Sequence, residues 1–487
     1  MTIEQDRIME HNAFTGREEE LAELKALLEK TTASLVAVKG RRRVGKSRLI
    51  QQFARHKPFY TFTGLAPLTG LTAQDQRNEF ARLLHLQTGI PKIVTNDWSD
   101  LFTLLARETS KKRVIILFDE ISWMAMDDIT FLPKLKNAWD NDFKKNNKLI
   151  LVLCSSVSMW FEEKILSSTA FFGRISLELQ VNPLPLSDCN KMLEMQNFKE
   201  SAAEKFKILS VTGGIPWYIE HMQGQFSADE NIRRQCFSSG GVMVEDFHKI
   251  FHDMFEKQDY IYKKIILSLA DGPIDYEEIS KRTEYNKSGR LSAYLLNLEK
   301  AGFIAKDKTW SLQAGKTMNL CHYRLSDNYI RFYLNYITPR LDHIIHKRIK
   351  KLTLTTLPGW ESIMGLQFEN LVANNRHELY RLLNIAPEMV VYDNPFFQKK
   401  TSRQKGCQID FLIQTKANTL YVIEIKFSKN SIKYEVIDQV REKINRISLP
   451  RNVAVLPVLI HVNGTSRSLI DAGYFHRIIN FGELLTL

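Results

Sequence analysis

Cysteine is scarce in this sequence. Its 487 residues hold five, at positions 154, 189, 236, 321 and 407, none in C-x-x-C spacing. That argues against a disulfide framework or a zinc knuckle and fits a reducing compartment. No apolar run reaches the roughly 18 residues that mark a membrane-spanning helix. The opening residues, Met1 to Arg7, lack the apolar segment of a signal peptide. No repeat period is visible, so a repeat array is not expected. These absences predict a soluble, cytoplasmic protein with no membrane partner. Acidic charge is the other shortage: 67 Lys and Arg stand against 55 Asp and Glu, a net charge of +12. An excess of this sign leans toward nucleic acid or another polyanion, although proteins that bind neither can also be basic. The length predicts two to four domains with ample core.

What is present is organised around one stretch. Leu35 to Val38 reads as a short buried strand. Gly40-Arg41-Arg42-Arg43-Val44-Gly45-Lys46-Ser47-Arg48 follows, and Leu49, Ile50 and Phe53 continue with helical spacing. Strand, G-x-x-x-x-G-K-S and helix make the context of a phosphate-binding loop. The two glycines let successive N–H groups face one point at a helix N-terminus, where partial positive charge favours phosphate. Lys46 would reach the β- and γ-phosphates and the Ser47 hydroxyl would ligate Mg2+. From average residue usage, the four constrained positions would coincide by chance in about one chain in 60 of this length.

After a region read as helical through about residue 110, Val114 to Phe118 forms a second apolar strand ending in Asp119-Glu120. A carboxylate at the carboxyl end of such a strand arrives where open α/β sheets bind ligands. Asp119 would hold the magnesium and Glu120 would orient the attacking water. A third strand, Lys148 to Cys154, ends in Ser155-Ser156. On chemistry alone its two hydroxyls open the next helix. Arg174, after Phe172-Gly173, is either a finger acting in cis or in trans, or a surface arginine.

Several of these motifs resemble known families. Phe14-Thr15-Gly16-Arg17-Glu18-Glu19-Glu20-Leu21 looks like the adenine-side motif of AAA+ and STAND-type ATPases, and implies nucleotide contacts from Phe14, Gly16 and Arg17. On chemistry alone it is also a capped surface helix, with Thr15 or Gly16 as the cap. The third strand resembles the AAA+ sensor strand, with Ser155 in the reading position. Thr212-Gly213-Gly214-Ile215-Pro216 resembles the nucleotide-contacting G-G-x-P motif of archaeal ATPases, carried by Pro216. It also reads as a plain interhelical turn. The resemblance implies ATP, and no N-K-x-D guanine signature is present.

The middle of the chain reads as three helices (260–270, 275–279 onward, and 291–300) followed by short strands around Trp310 and Tyr323. This looks like a winged helix. In one its third helix can enter the major groove, with Lys287, Ser288, Arg290 and Tyr294 as contacts; a structural role without DNA is equally compatible. Tyr323-Arg324-Leu325-Ser326-Asp327 and the aromatics after it resemble a segment found after the winged helix in archaeal-type ATPases, and their spacing is mostly that of core.

The last part has its own chemistry. Ile363 to Asn375 reads as a helix carrying Glu369, Gly406 to Ile413 as a strand carrying Asp410, and Leu420 to Lys426 as its hairpin partner. Glu424 and Lys426 are two apart and share a face. Asp410 and Glu424, with Glu369 from the helix, would ligate Mg2+ or Mn2+, because hard cations take oxygen. Lys426 would orient or deprotonate water, or stabilise pentavalent charge. Gln439 is a further candidate. Asp410, thirteen residues, then Glu424-x-Lys426 resembles the PD-(D/E)xK nuclease superfamily, with Ile409 in place of the usual proline. A hairpin with one surface ion pair fits the bare pattern too. Lys399, Lys400, Arg403 and Lys405 precede the strand as candidate DNA contacts.

The whole order resembles archaeal-type ATPases that carry a C-terminal domain of unknown function. It implies an α/β architecture: a P-loop NTPase core (1–180), a helical lid (181–255), a winged helix (256–337), a linker (338–360) and a restriction-endonuclease-like α/β domain (361–487). The implied function is an ATP-hydrolysing, DNA-acting enzyme whose ATPase gates a metal-dependent nuclease, either alone or as a homo-oligomer. The alternatives are a nucleotide-switched DNA-binding regulator, and a STAND-like sensor whose tail does not cut.

Overall fold

Strand β1 (Ser34–Gly40) alternates its apolar side chains between two cores. Leu35 and Ala37 face one cluster, with Phe80, Trp98, Phe102 and Phe131; Val36 and Val38 face the other, with Leu24, Leu49, Ile50 and Phe53. Period-two alternation with apolar residues on both faces belongs to a parallel sheet covered by helices on each side. The computed structural model describes residues 14–486 except 69, 126–127, 157–158, 256–258, 350 and 403–404. The chain divides into two compact units after Asn182.

In the first unit β1, β2 (Phe59–Thr63), β3 (Val114–Asp119), β4 (Leu149–Ser156) and β5 (Ile175–Gln180) form one parallel sheet in the order β2-β3-β4-β1-β5. Strand β2 corrects the sequence expectation of unbroken helix after the loop. Its F-Y-T-F-T run is rich in β-formers but only five residues long, and it gains its place by pairing with β3. The helix Glu18–Ala26 is another correction: its N-cap is Arg17, in the left-handed region at φ 67°, not Thr15 or Gly16.

The second unit opens with helices, among them Leu186–Met195, Ala202–Thr212, Ala228–Cys236 and Val242–Phe255. Three further helices, Asp259–Ser268, Tyr276–Thr283 and Gly289–Lys300, accompany a small antiparallel sheet in the order β6-β8-β7, from β6 (Ile274–Asp275), β7 (Ile304–Ser311) and β8 (Lys316–Leu325). A five-stranded mixed sheet ends the chain, in the order β13-β12-β11-β10-β9: β9 (Val390–Gln398), β10 (Cys407–Thr415), β11 (Thr419–Lys426), β12 (Ala454–His461) and β13 (Arg477–Asn480). Strands β9, β10 and β11 pair antiparallel, and β11, β12 and β13 parallel. The β10–β11 hairpin turns at Asn418, which takes φ 54°.

A polar network fixes the helix Trp360–Asn374 to the segment after β8. Arg331 donates to Gln367 Oε1 at 3.0 Å, Gln367 donates to the Asn328 carbonyl at 2.7 Å, and Asn370 donates to Asn328 Oδ1 at 2.8 Å. Arg324 reaches Asp307 at 2.8 Å and also Asn370. These groups are buried, and each bond matters because an unmade one would cost about 1–3 kcal/mol.

Candidate functional site

The loop after β1 closes on itself. Arg43 and Gly45 stand at φ 70° and 95°, and Gly45 caps the helix Lys46–Ala54. Gly40 has no room for a side chain: a Cβ there would lie 2.4 Å from the Val181 carbonyl. The buried Lys46 ammonium folds back over the loop, donating to the carbonyls of Gly40 at 2.9 Å and Arg41 at 3.3 Å. The Ser47 hydroxyl donates to Asp119 Oδ2 at 2.6 Å, so the residue opening the helix and the carboxylate ending β3 meet. A hydroxyl and a carboxylate converging beside a phosphate-cradling loop form a hard oxygen set that suits Mg2+. Glu120 follows in the left-handed region at φ 49°. Its carboxylate accepts from the Ser156 hydroxyl at 3.1 Å and more weakly from the Ser156 N–H at 3.4 Å. Ser155, the residue singled out in the sequence, instead meets Ser122 Oγ at 3.1 Å. Ser156 is thus the hydroxyl that addresses Glu120. Burial, then the neighbouring Asp119, pushes the Cys154 thiol well above its ordinary range. From the adenine-side motif, Arg17 donates to the Val44 carbonyl at 3.1 Å and to Glu20 at 2.8 Å, and Phe14 packs on the core below the loop.

A second constellation lies on the C-terminal sheet. From Ile409 to Leu412 β10 advances three residues while β9 advances two, from Phe396 to Asn394. The extra residue is a bulge opposite Pro395, which has no N–H to donate to the ladder. Asp410 sits in it. The β10–β11 register pairs Phe411 with Ile423; extended by one residue it sets Asp410 opposite Glu424, so both side chains take the same face. Asp410 Oδ2 accepts the Ile425 N–H at 2.9 Å. One ammonium joins the two acids: Lys443, on the helix Glu435–Arg446, is 2.5 Å from Glu424 Oε2 and 3.3 Å from Asp410 Oδ1. Lys426 reaches Glu424 Oε1 at 3.3 Å and Gln439 Oε1 at 3.2 Å.

Burial, then Glu424, pushes Asp410 up to about 6, with Lys443 opposing. Burial, then Asp410, pushes Glu369 up to about 8, with Arg331 opposing. Burial would lower Lys443, but Asp410 and Glu424 outweigh it and raise its pKa. The position of the Lys443 ammonium shows that Asp410 and Glu424 face one common point, which fits a cation held by two carboxylates and water. The expected three-ligand set is not assembled. Among the described residues no three His, Cys, Asp or Glu side chains converge to hold a metal. Glu369 feels the charge of Asp410 and Glu424 without closing a cage with them.

Residues 14–222 match the family model of an ATPase domain predominantly from Archaea. Over 68% of its length the chain is 26% identical to the uncharacterized protein MJECL04 of Methanocaldococcus jannaschii, covering 70% of that protein. The Walker-type ATPase paby2304 of Pyrococcus abyssi superposes with a TM-score of 0.52 at 18% identity, over 66% of this chain and 96% of that one. That likeness is one of fold. The ORC2 protein of Aeropyrum pernix, solved in ADPNP–ADP complexes, aligns over 70% of this chain and 97% of its own at 14% identity, with a TM-score of only 0.41. Residues 14–222 are thus similar to an ATPase domain of this family, and the first unit has an α/β fold with a parallel sheet. No described helix is long and apolar enough to cross a membrane.

Other expected residues lie elsewhere. Arg174 forks onto Asp140, its Nη2 at 2.9 Å from Oδ2 and its Nε at 3.0 Å from Oδ1, so it is held by a helix of its own unit. Pro216 opens the short helix Pro216–Ile219 in the second unit. Of the glycines before it, Gly214 answers a packing need, since a Cβ there would lie 2.2 Å from the Leu184 carbonyl, and Gly213 takes φ 57°. Arg290 is exposed, Lys287 pairs with Glu277 at 3.0 Å, and Ser288 caps the helix Gly289–Lys300. Tyr294 packs edge-on against Tyr262 and Tyr285. Lys399 and Lys400 are exposed; Arg403 lies outside the described residues. Sequence reasoning missed Ser156 and Lys443. The second had a signal: Gln439 and Lys443 are four apart on one helix face.

Proposed function

We propose that the chain is an ATP-hydrolysing protein that acts on DNA, with a metal-dependent phosphodiesterase in its C-terminal part. The observation that carries the ATPase half is the 2.6 Å contact between Ser47 and Asp119 beside a loop closed by Lys46. With ATP bound, Lys46 would leave the loop carbonyls for the β- and γ-phosphates, and Ser47 and Asp119 would hold Mg2+. That ion would neutralise charge developing on the phosphoryl oxygens. Glu120 would orient the attacking water, and its bond to Ser156 sets the carboxylate's direction between turnovers. Arg41, Arg42, Arg43, Val44 and Arg48 complete the loop. Phe14, Gly16 and Arg17 form the adenine side; Ser155 is a further nucleotide contact. Arg174 acts as a finger only where Asp140 releases it.

Asp410 and Glu424 would hold Mg2+ or Mn2+ at the second site, which would supply a polarised water for attack on a phosphodiester. Lys426, fixed by Gln439, would stabilise the charge that develops. Glu369 would act from the neighbouring helix as an outer carboxylate. The bulge that turns Asp410 toward Glu424, and the basic residues ahead of β10, support this reading. The segments 1–180, 181–255, 256–337, 338–360 and 361–487 are the proposed core, lid, winged helix, linker and nuclease-like domain. The three helices and small antiparallel sheet of the middle segment favour DNA contact through Lys287 and Arg290.

The deciding experiment incubates the protein with labelled duplex, single-stranded and branched DNA, with Mg2+ or Mn2+, with and without ATP, beside Asp410→Ala and Lys46→Ala. Cleavage lost in Asp410→Ala, and ATP dependence lost in Lys46→Ala, is the expected result. DNA that is shifted but never cut under any condition would reject the phosphodiesterase and leave a nucleotide-switched DNA-binding regulator. The lysine already seated between Asp410 and Glu424 is the observation that favours this second reading.

A further inference from the structure

Next to the Asp410–Glu424 pair the second unit has a cleft of about 470 Å³. Its walls come from β8 (His322), the end of β9 (Phe397) and the residue after it (Lys399), the start of β10 (Cys407) and the helix Glu435–Arg446 (Lys443, Arg446). Among the described residues three cations line it and no carboxylate does. Each cation is held from outside the cleft: Lys399 by Asp275 at 3.6 Å, Arg446 by Glu442, and Lys443 by Glu424 and Asp410. The Nε of Arg446 is sealed from solvent without a hydrogen-bond partner, and so is Nδ1 of His322. A packing role alone leaves such groups unexplained. The His322 ring lies on Phe397, centroids 3.9 Å apart and planes 23° from parallel.

Cations along a groove with an aromatic platform beside them suit a sugar–phosphate chain whose base has left its stack. A duplex keeps its bases stacked and cannot use that platform. We infer that the cleft seats a single-stranded nucleic-acid segment, phosphate against Lys399 and Arg446 and base against His322 and Phe397, with Lys443 shared between that phosphate and the two carboxylates. The inference rests on the reading of the C-terminal part as nucleic-acid-acting, and it adds the form of the substrate and the way it is sensed. Lys443 alone among the wall cations touches both acids. A divalent cation held by Asp410 and Glu424 takes over their neutralisation and frees Lys443 for the strand. By linkage, strand and metal then raise each other's affinity by the same factor.

Fluorescence anisotropy of a labelled single-stranded 12-mer and a matching hairpin duplex tests this, in EDTA and in Ca2+, with gels confirming intact strands. The variants are Lys399→Gln with Arg446→Gln, His322→Ala, Lys443→Gln and Asp410→Ala, each checked by its unfolding temperature and ATP turnover. The double variant is expected to weaken single-strand binding tenfold or more. Its salt slope should fall by about 1.4, from roughly 0.7 per phosphate contact. His322→Ala should lose roughly fivefold through stacking. Ca2+ should tighten binding to the wild type and not to Lys443→Gln. Unchanged affinity in the double variant, or duplex bound as tightly as single strand, would overturn the cleft. An equal Ca2+ effect in Lys443→Gln would overturn the sharing of Lys443. Cleavage is scored separately with Mg2+. A wild type that cuts while the double variant binds normally rejects the cleft and keeps the phosphodiesterase. A wild type that binds through the cleft and never cuts does the reverse.

Discussion

Replacing Lys443 by Met removes the one ammonium among the described residues that reaches both Asp410 and Glu424. The two acids are 11% and 3% exposed in their side chains and Lys443 is 26% exposed. Breaking a buried ion pair by deleting one partner typically costs about 3–5 kcal/mol. Here the loss is smaller, about 2–3 kcal/mol, because Lys443 is partly solvated and Lys426 stays 3.3 Å from Glu424. A proton can substitute for the missing charge. Asp410 already stands at about 6 with Lys443 in place, raised by burial and then by Glu424, and without the lysine it rises further. Its folded pKa lies above the unfolded value near 4. The stability it contributes is therefore present at low pH and is lost as pH rises through the folded pKa. Each unit over which Asp410 must stay charged against its preference is worth about 1.4 kcal/mol. The variant should thus be nearly as stable as the wild type at pH 5.5 and about 2–3 kcal/mol less stable at pH 8.5. At about 2 °C per kcal/mol for a unit of this size, calorimetry should show a fall of about 4–6 °C at the higher pH. Mg2+ or Ca2+ should recover much of it by binding the folded state. A variant as stable as the wild type at pH 8.5, or a deficit that does not change with pH, would refute the reasoning.

The remaining predictions concern the first unit and one glycine. Glu120→Gln should keep ATP binding and lower turnover by about 10²-fold or more, while Ser156→Ala, which removes only the hydroxyl aiming Glu120, should cost less than tenfold; steady-state ATP hydrolysis and nucleotide titration separate the two. Arg174→Ala and Asp140→Ala should each lower the unfolding temperature of the first unit slightly, and the double mutant should lose less than the sum of the two. Arg174 holds Asp140 well below the usual carboxylate range, so the effect of Arg174→Ala should shrink as pH falls through that depressed pKa; a thousandfold loss of turnover with no coupling in stability would instead mark Arg174 as a finger. Gly214→Ala should destabilise the second unit by about 2–3 kcal/mol, because its Cβ would meet backbone 2.2 Å away rather than a side chain that can turn; an unchanged unfolding temperature would show that the Leu184 loop yields.

The phosphate loop was legible because its chemistry is contiguous: glycines, Lys46 and Ser47 act within one turn of chain, and the apolar strand before them fixes its end. Asp119 was legible for a related reason, being the first charge after five buried apolar residues. Strand β2 was not, because five residues of mixed exposure carry too short an alternation to stand out from the helices around them. Ser155 and Ser156 are adjacent in β4 and so take opposite faces, and only the packing of the folded unit decides which face meets Glu120. Asp410, Glu424 and Lys426 showed in the hairpin pattern. Lys443 did not, since it lies seventeen residues beyond Lys426 and meets them only through the packing of its helix. The buried partners of Glu369 were hidden likewise: Arg331 reads as one more surface charge until the network around Gln367 and Asn370 closes over it.

The bulge at Asp410 makes the second site depend on the count of residues as well as on their identity. Upstream and downstream of it, β10 runs out of phase against β9 by one residue. Deleting Phe411 would bring both halves of β10 into one register against β9 as far as Gln414, yet would swing Asp410 to the face opposite Glu424. Point-substitution libraries would miss this sensitivity, and a one-residue deletion scan would reveal it as a position where the protein folds and the chemistry vanishes.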